Sequence, residues 1–357
     1  MSKVAIVGAG FMGSAMAWPL SDRGHEVRLI GTHMDEDIIA SCKGSRWHPK
    51  LRRTLPEHVR PFSIADLDEA LDGVALIIQG VSSAGVEWAV RTLGPRLDGS
   101  VPLLAITKGL ALDAEGDLQI LPDFFDSQLP AKLRGRVPLA AVGGPCIAGE
   151  LAGRRQTCVV FAGRDKALLA RLAEILQTDY YHIWTSTDFR GVETCAALKN
   201  AYVLGIGLAM GMLEAAGGPD EAGAHMFNLA AALFAEASRE IARLVGVMGG
   251  EPELARSLPG VGDMFVTAQG GRTVTIGALL GRGLGIDEAL RELAGVTLES
   301  VDAIRAVNRA LPKLERERRI DGAELPLMRH LGEIVAGGPV RIPLESFFGD
   351  GAAASLA

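Results

Sequence analysis

The chain is poor in cysteine and shows no pairing pattern among the few it has. Its four cysteines are Cys42, Cys146, Cys158 and Cys195, and no two stand as C-x-x-C. That spacing excludes a disulfide framework and a zinc knuckle. The histidines are scattered without an H-E-x-x-H, so no metal is expected. Positive charge is also short, with 36 Lys and Arg against 43 Asp and Glu. A nucleic-acid binder needs a basic footprint, which a net charge of −7 does not supply. Long hydrophobic runs are missing too. In the most apolar segment the uncharged run from Ala201 to Leu213 is 13 residues, against about 20 for a membrane span. The first apolar run begins at Val4, without the longer apolar core and cleavage site of a signal peptide. The expectation is a soluble, cytoplasmic protein with no membrane span. There is no repeat and no low-complexity linker, and GDGAAASLA (349–357) reads as a frayed tail.

What is present is a change of pattern along the chain. KVAIV (3–7), HEVRLIG (25–31), VALIIQGV (74–81), VPLLAIT (101–107), VPLAAVGG (137–144) and TCVVFAG (157–163) are short, nearly continuous apolar runs. Such runs fit strands buried on both faces of a parallel sheet. FMGSAMAWPLSDRG (11–24) and SAGVEWAVRTLGPRL (83–97) read as helices between them. The alternation predicts an α/β fold with an N-terminal Rossmann-type doubly wound sheet. After YYHIWTSTD (180–188) the pattern changes. Helices are expected over 192–213, 220–245, 250–257, 274–282, 286–293, 297–310 and 325–336. The expected organisation is a dinucleotide-binding domain over 1–189 and an all-helical C-terminal domain over 190–357.

VAIVGAGFMGSAMA contains G-x-G-x-x-G at Gly8, Gly10 and Gly13. The string alone is weak, but here it follows a strand, opens a helix and precedes a second strand, the context of a dinucleotide site. Gly8 permits the tight turn, Gly10 lets backbone approach the pyrophosphate, and Gly13 lets helix pack on strand. The second strand ends in LIGTHMDED. An acid at its end would bind the ribose 2′-hydroxyl and repel a 2′-phosphate. Thr32 and His33 hold that position, and Asp35 comes three residues late. The basic stretch RWHPKLRRTLPEHVRP (46–61) is either a solvated loop or a contact for that phosphate. Together these features favour NADP over NAD.

Three polar clusters stand out. Lys199 and Asn200 sit in VETCAALKNAYVLGIGLAMGML (192–213), whose only other charge is Glu193. Lys108 ends an apolar run in LLAITKGL (103–110), where ligands of doubly wound sheets bind. Asp263, Thr267 and Arg272 lie among glycines in SLPGVGDMFVTAQGGRTVTIG (257–277). A lysine in an apolar helix either lays its stem on the surface with its head in water or is held in a cleft as an acid.

Five stretches, GAGFMGSAMA, ITKGL, GGPCIAGE, GVETCAALKN and LPGVGD…T…GGR, resemble in order and spacing the NAD(P)-dependent glycerol-3-phosphate dehydrogenase family. The resemblance runs over about residues 3–300, and GTHMDEDII and RWHP are most similar to archaeal-type members. It implies reversible hydride transfer between a nicotinamide and a secondary alcohol or ketone, with sn-glycerol 3-phosphate and dihydroxyacetone phosphate as the pair. It implies catalytic roles for Lys199, Lys108 and Asp263, and substrate contacts for Asn200 and Thr267. Arg272 would face phosphate groups and Glu299 would lie near the nicotinamide. Phe11, Met12, Ser82, Lys108 and Ala148 complete the expected cofactor contacts. A small anionic substrate and a homodimer belong to the same expectation. Two positions depart from the pattern. Arg272 is followed by Thr273 where the family has asparagine, and GGPCIAGE carries Cys146 where a small polar residue or A-N is usual. Both would line or support the substrate pocket, so a close analogue, another anion or a polyol stays open.

The chemistry gives Lys199 a role independently. Reducing a ketone builds negative charge on its oxygen, which a positioned ammonium stabilises and protonates. Burial and a second cation, Lys108, would favour the neutral amine, whereas Asp263 would favour the ammonium. Small Ala196, three residues before Lys199, would leave room for a substrate. Two other readings remain. GAGFMGSAMAWPLSDRGH also resembles the β-hydroxyacid dehydrogenases, although ITKGL and GVGD…GGR fit the first family better. A non-catalytic dinucleotide sensor would not require Lys108, Lys199 and Asp263 together.

Overall fold

A computed structural model describes residues 1–344 and Phe347; the stretch 349–357 lies outside the described residues. The chain forms two compact units that interleave along the sequence. One comprises 1–108 and 120–193, the other 109–119 and 194–357.

The first unit is built on strands β1 (Lys3–Val7), β2 (Glu26–Ile30), β3 (Trp47–His48), β4 (Arg53–Thr54), β5 (Val59–Phe62), β6 (Leu76–Gln79) and β7 (Leu103–Ala105). After the hairpin strands β8 (Leu110–Leu112) and β9 (Leu118–Ile120) come β10 (Leu139–Gly143), β11 (Thr157–Gly163) and β12 (Tyr181–Ser186). The main sheet has eight strands in the order β12-β11-β10-β7-β6-β1-β2-β5. β1 lies between β2 and β6, with Val4 opposite Val27 and Leu76. The strand order therefore reverses at β1, which opens the crevice where doubly wound sheets take ligands. Val4, Ala5, Ile6 and Val7 are wholly buried, as the continuous apolar run requires.

Several details differ from the sequence expectation. β11 runs antiparallel to β10, with Val142 opposite Phe161. A strand buried on both faces reads the same in either direction, so hydrophobic pattern does not reveal this. β5 and β12 join the sheet without a continuous apolar run. VRPF contains a proline, and YHIWTS is buried at Tyr181 but exposed at Trp184 and Thr185. The helix over 11–24 divides into Phe11–Ala15 and Ala17–Asp22. Pro19 has no N–H to give to Ala15, which weakens the ladder at Met16.

The second unit is helical apart from the β8–β9 hairpin. Its helices include Phe189–Ala215, which begins in the first unit's residues, Phe227–Val247, Arg272–Gly281, Glu299–Arg316 and Pro326–Val335. The helix expected from 220 starts only at Phe227. Gly217, Gly218 and Gly223 have positive φ, and Asp220 Oδ1 accepts from the N–H groups of Ala222 and Ala224, so 216–226 stays a loop. The hairpin belongs here because Leu110, Leu112 and Leu118 pack against the helical core. Lys313 Nζ also donates to Asp117 Oδ2 at 2.7 Å.

Phe189–Ala215 is the one helix among the described residues long and apolar enough to cross a membrane, yet 78% of its most apolar window is buried inside the protein. It is a core helix. Its glycines explain part of the apolar run. A Cβ on Gly207 would lie 2.6 Å from Val274 O, and one on Gly211 would lie 2.1 Å from Ala278 O. On the facing helix, Gly277 and Gly281 would meet Leu204 O and Leu208 O at 2.3 Å each. Two glycine pairs thus bring the backbones of Phe189–Ala215 and Arg272–Gly281 into contact.

Candidate active site

In the first unit Gly8 turns the chain directly after β1 at φ +111°. A Cβ there would lie 2.7 Å from Gly80 O, and a Cβ on Gly13 would lie 2.2 Å from Gly8 O. These two glycines are required by backbone contact. Gly10 is different, because no atom lies within 4 Å of the place its Cβ would take. The N–H groups of Gly10, Phe11 and Met12 take no intramolecular acceptor among the described residues. Open space beside unengaged N–H groups fits a phosphate-bearing cofactor.

The end of β2 is organised by Asp35. Its Oδ2 accepts from Thr32 N–H at 3.0 Å, Thr32 Oγ1 at 2.8 Å and Ala9 N–H at 3.2 Å. The carboxylate is buried and turned into the protein. His33 is exposed, its ring centroid 5.8 Å from that of Trp88.

The basic stretch 46–61 divides into side chains turned into the protein and side chains left exposed. Arg46 adopts φ +59° after the helix Glu36–Ser45 and gives its guanidinium to the carbonyls of Leu55, Pro56, Glu57 and Val59. Lys50, Arg52 and Arg53 are exposed. His48 is fully buried, with Nε2 3.2 Å from Ala9 O and 2.8 Å from Ser14 Oγ. Sequence reasoning missed His48 and the inward role of Asp35. The available signal was an uncharged W-H-P interrupting a basic run.

Lys108 stands just beyond β7 and its Nζ donates to Gly144 O at 3.2 Å. Near it, burial pushes the Glu193 carboxyl up to about 8, and the charge of Lys108 acts in the opposite sense. Glu193 Oε2 is buried without a hydrogen-bond partner. Its signal in the sequence was the same as that of Lys199, a charge in an apolar helix. Ser82 is half-buried at the turn after β6, next to Ser83, whose buried Oγ has no partner. Met12, Cys146 and Ala148 pack, partly buried, against the sheet's core.

In the second unit Lys199 is 7% exposed. Its Nζ donates to Asp263 Oδ1 and, at 2.9 Å, to Thr267 Oγ1. Thr267 Oγ1 donates in turn to the Asp263 carbonyl at 2.7 Å. Asp263 is wholly buried. It is delivered by LPGVG, a single π-helical turn whose Gly260 would meet Ala255 O at 2.0 Å if it carried a Cβ. The ammonium therefore does not lie along the helix with its head in water; it has a counter-charge in contact. Asn200, the next residue, is half-buried. Ala196 and Val203 are fully buried, so Ala196 is packed rather than leaving room for a substrate.

Arg272 opens its helix after Gly270 and Gly271, at φ +156° and +97°. Its guanidinium is about half exposed and reaches both oxygens of Glu299, at 3.2 and 3.1 Å. Thr273 is buried. The two residues expected near phosphate and nicotinamide thus hold each other. Among the described residues no group of three or more His, Cys, Asp and Glu gathers to hold a metal.

A nucleotide-type sheet with a three-glycine turn, and a helical unit enclosing a paired ammonium, define the class: a nicotinamide-dependent dehydrogenase. Comparison with known proteins narrows it. The family model for the NAD-dependent glycerol-3-phosphate dehydrogenase N-terminus matches residues 3–169, and that for the C-terminus matches 188–340. The NADP(+)-dependent glycerol-3-phosphate dehydrogenase of Archaeoglobus fulgidus is 35% identical over 307 residues, 86% of this chain and 88% of that protein. A glycerol-3-phosphate dehydrogenase [NAD(P)+] of Bacillus cereus is 30% identical over 90% of each chain. Among solved structures, glycerol-3-phosphate dehydrogenase from Coxiella burnetii matches with TM-score 0.76 at 26% identity, covering 94% of both chains. The chain belongs to the NAD-dependent glycerol-3-phosphate dehydrogenase family.

Proposed function

We propose that the protein interconverts dihydroxyacetone phosphate and sn-glycerol 3-phosphate, with NADP(H) preferred to NAD(H). The observation that carries the reading is the buried Lys199 with Asp263 and Thr267 as its partners. The nicotinamide supplies or accepts the hydride. Lys199 Nζ stabilises the charge that builds on the carbonyl oxygen and gives it a proton. Asp263 and Thr267 fix the direction of the ammonium, and Asn200 orients the substrate. Lys108 adds positive charge at the strand end. Arg272 turns from Glu299 to an anionic group of substrate or cofactor, which its planar fork binds in bidentate fashion.

Gly8, Gly10, Gly13, Phe11 and Met12 would hold the pyrophosphate, with Ser82 and Ala148 beside it and Glu299 toward the nicotinamide. Cys146 and Thr273 would support the substrate pocket. The cofactor preference rests on Asp35. That carboxylate is buried and occupied by Ala9 and Thr32, so it is not presented to a ribose 2′-hydroxyl, and the exposed residue next to Thr32 at the strand end is His33. The relative from Archaeoglobus fulgidus, named as NADP(+)-dependent, supports the same choice.

A cytoplasmic location and a homodimer complete the reading. Among the described residues no cysteine is joined in a disulfide, which fits a reducing compartment. Phe227 and Phe265, 71% and 60% exposed, offer apolar surface to a second copy. Initial rates over a panel of phosphorylated and unphosphorylated polyols, ketones and hydroxyacids, with each cofactor, test the assignment. Fastest turnover of an unphosphorylated hydroxyacid would replace it with the β-hydroxyacid reading, and no turnover of any member would leave a binding protein.

A further inference from the structure

We infer that His48 is a positioning residue for the dinucleotide site, holding the peptide between Ala9 and Gly10 in the orientation that presents the glycine turn to the cofactor. The inference rests on the cofactor assignment above. Its basis is the pair of clamps on Ala9. The Ala9 N–H donates to Asp35 Oδ2 at 3.2 Å, and the Ala9 carbonyl lies 3.2 Å from His48 Nε2. Asp35 precedes the helix Glu36–Ser45 and His48 follows it. One helix thus brackets the central residue of G-A-G with a buried side chain at each end.

The tautomer follows from the hydrogen bonds. His48 Nδ1 accepts from Leu51 N–H at 3.0 Å, so in the neutral ring the proton sits on Nε2. Nε2–H is then the donor to Ala9 O and Ser14 Oγ. Burial favours that neutral ring, since it holds the imidazole below its usual range. In a trans peptide the carbonyl and the next N–H point in opposite directions, and no cis bond occurs among the described residues. Fixing Ala9 C=O toward His48 therefore turns the Gly10 N–H away from it. The first intrahelical bond goes from Ser14 N–H to the carbonyl of the N-cap Gly10, which leaves the Ala9 carbonyl outside the helical ladder and available to His48. Ser14 Oγ joins the same ring to the first helical turn at 2.8 Å, so one side chain contacts both the glycine turn and the helix start.

The two ring nitrogens have separable tasks, and two variants separate them. His48→Asn keeps an acceptor where Nδ1 receives Leu51 N–H but cannot reach Ala9. His48→Gln puts an amide where Nε2 stands. The experiment is titration of NADPH into the full chain, read by nicotinamide fluorescence, with kcat at saturating cofactor and Tm measured alongside. The expected result is a Kd about tenfold higher in His48→Asn, or about 1.4 kcal/mol. Its kcat should stay within about twofold, and His48→Gln should return most of the affinity. Wild-type affinity in His48→Asn would overturn the inference, as would equal loss of affinity in both variants with a fall in Tm. Failure of the wild-type protein to bind either NADPH or NADH would instead overturn the cofactor assignment beneath it.

Discussion

At the scale of single residues, the Lys199 ammonium is buried in an apolar helix with Asp263 and Thr267 as its partners. The run CAALKNAYVL shows a charge where packing calls for none, but it does not name the partner. Asp263 arrives from a π-helical turn 64 residues later. That geometry shapes the test of Lys199. Removing the ammonium alone leaves a buried carboxylate uncompensated, at a cost of about 3–5 kcal/mol. Lys199→Met combined with Asp263→Asn should recover most of that stability. Turnover should fall by roughly 10²–10⁴-fold in the single and double variants alike, and near-normal kcat in either would remove the lysine from the chemistry. Glu193 gives a prediction of opposite character. Its carboxyl titrates near 4.5 in the unfolded chain and is pushed up to about 8 in the fold. The folded state keeps the proton while the unfolded state loses it, so this group's stabilising contribution is full below the unfolded value and lost as pH rises through about 8. Glu193→Gln should therefore gain stability over wild type as pH rises from 5 to 8, by a few kcal/mol in order of magnitude. A constant difference in denaturation midpoint across that range would contradict the assignment.

At the scale of elements, the strands with continuous apolar runs could be read directly, and so could most of the long helices after residue 189, but 250–257 forms only a 3-10 turn at Pro252–Arg256 and the short helix Asp263–Ala268 has no apolar period to announce it. The short β3–β4 and β8–β9 hairpins could not, because each depends on distant partners. β8–β9 needs the core under Leu110 and Leu112, and β3 needs the glycine turn that His48 enters. The contact between Phe189–Ala215 and Arg272–Gly281 is of this kind as well. GIGLAMG reads as apolar filler until the facing glycines are known. Gly211→Ala would put a methyl 2.1 Å from the Ala278 carbonyl, and rigid backbone on both sides leaves no easy relief. A loss of about 1–3 kcal/mol is expected in chemical denaturation. Gly44→Ala is the control. That helical position is exposed with nothing within 4 Å, so it should be neutral or stabilising by up to about 1 kcal/mol. Equal effects at the two sites would mean the helices are not held by backbone contact.

At the scale of the whole molecule, the order of motifs along the chain is enough to mark the family. Gly8, Gly10 and Gly13 after one strand, Lys108 after another and Lys199 in the first long helix are spaced by the fold itself. The choice of cofactor was only half legible, since Thr32-His33 shows the missing acid but not that Asp35 is turned inward to hold the glycine turn. The most direct measurement of the account is kcat/KM for dihydroxyacetone phosphate with NADPH and with NADH, beside unphosphorylated dihydroxyacetone with each. The phosphorylated ketone with NADPH should exceed each of the other three combinations by about tenfold or more, one lost charged hydrogen bond being worth about that much. Equal rates with dihydroxyacetone, or a clear preference for NADH, would contradict it.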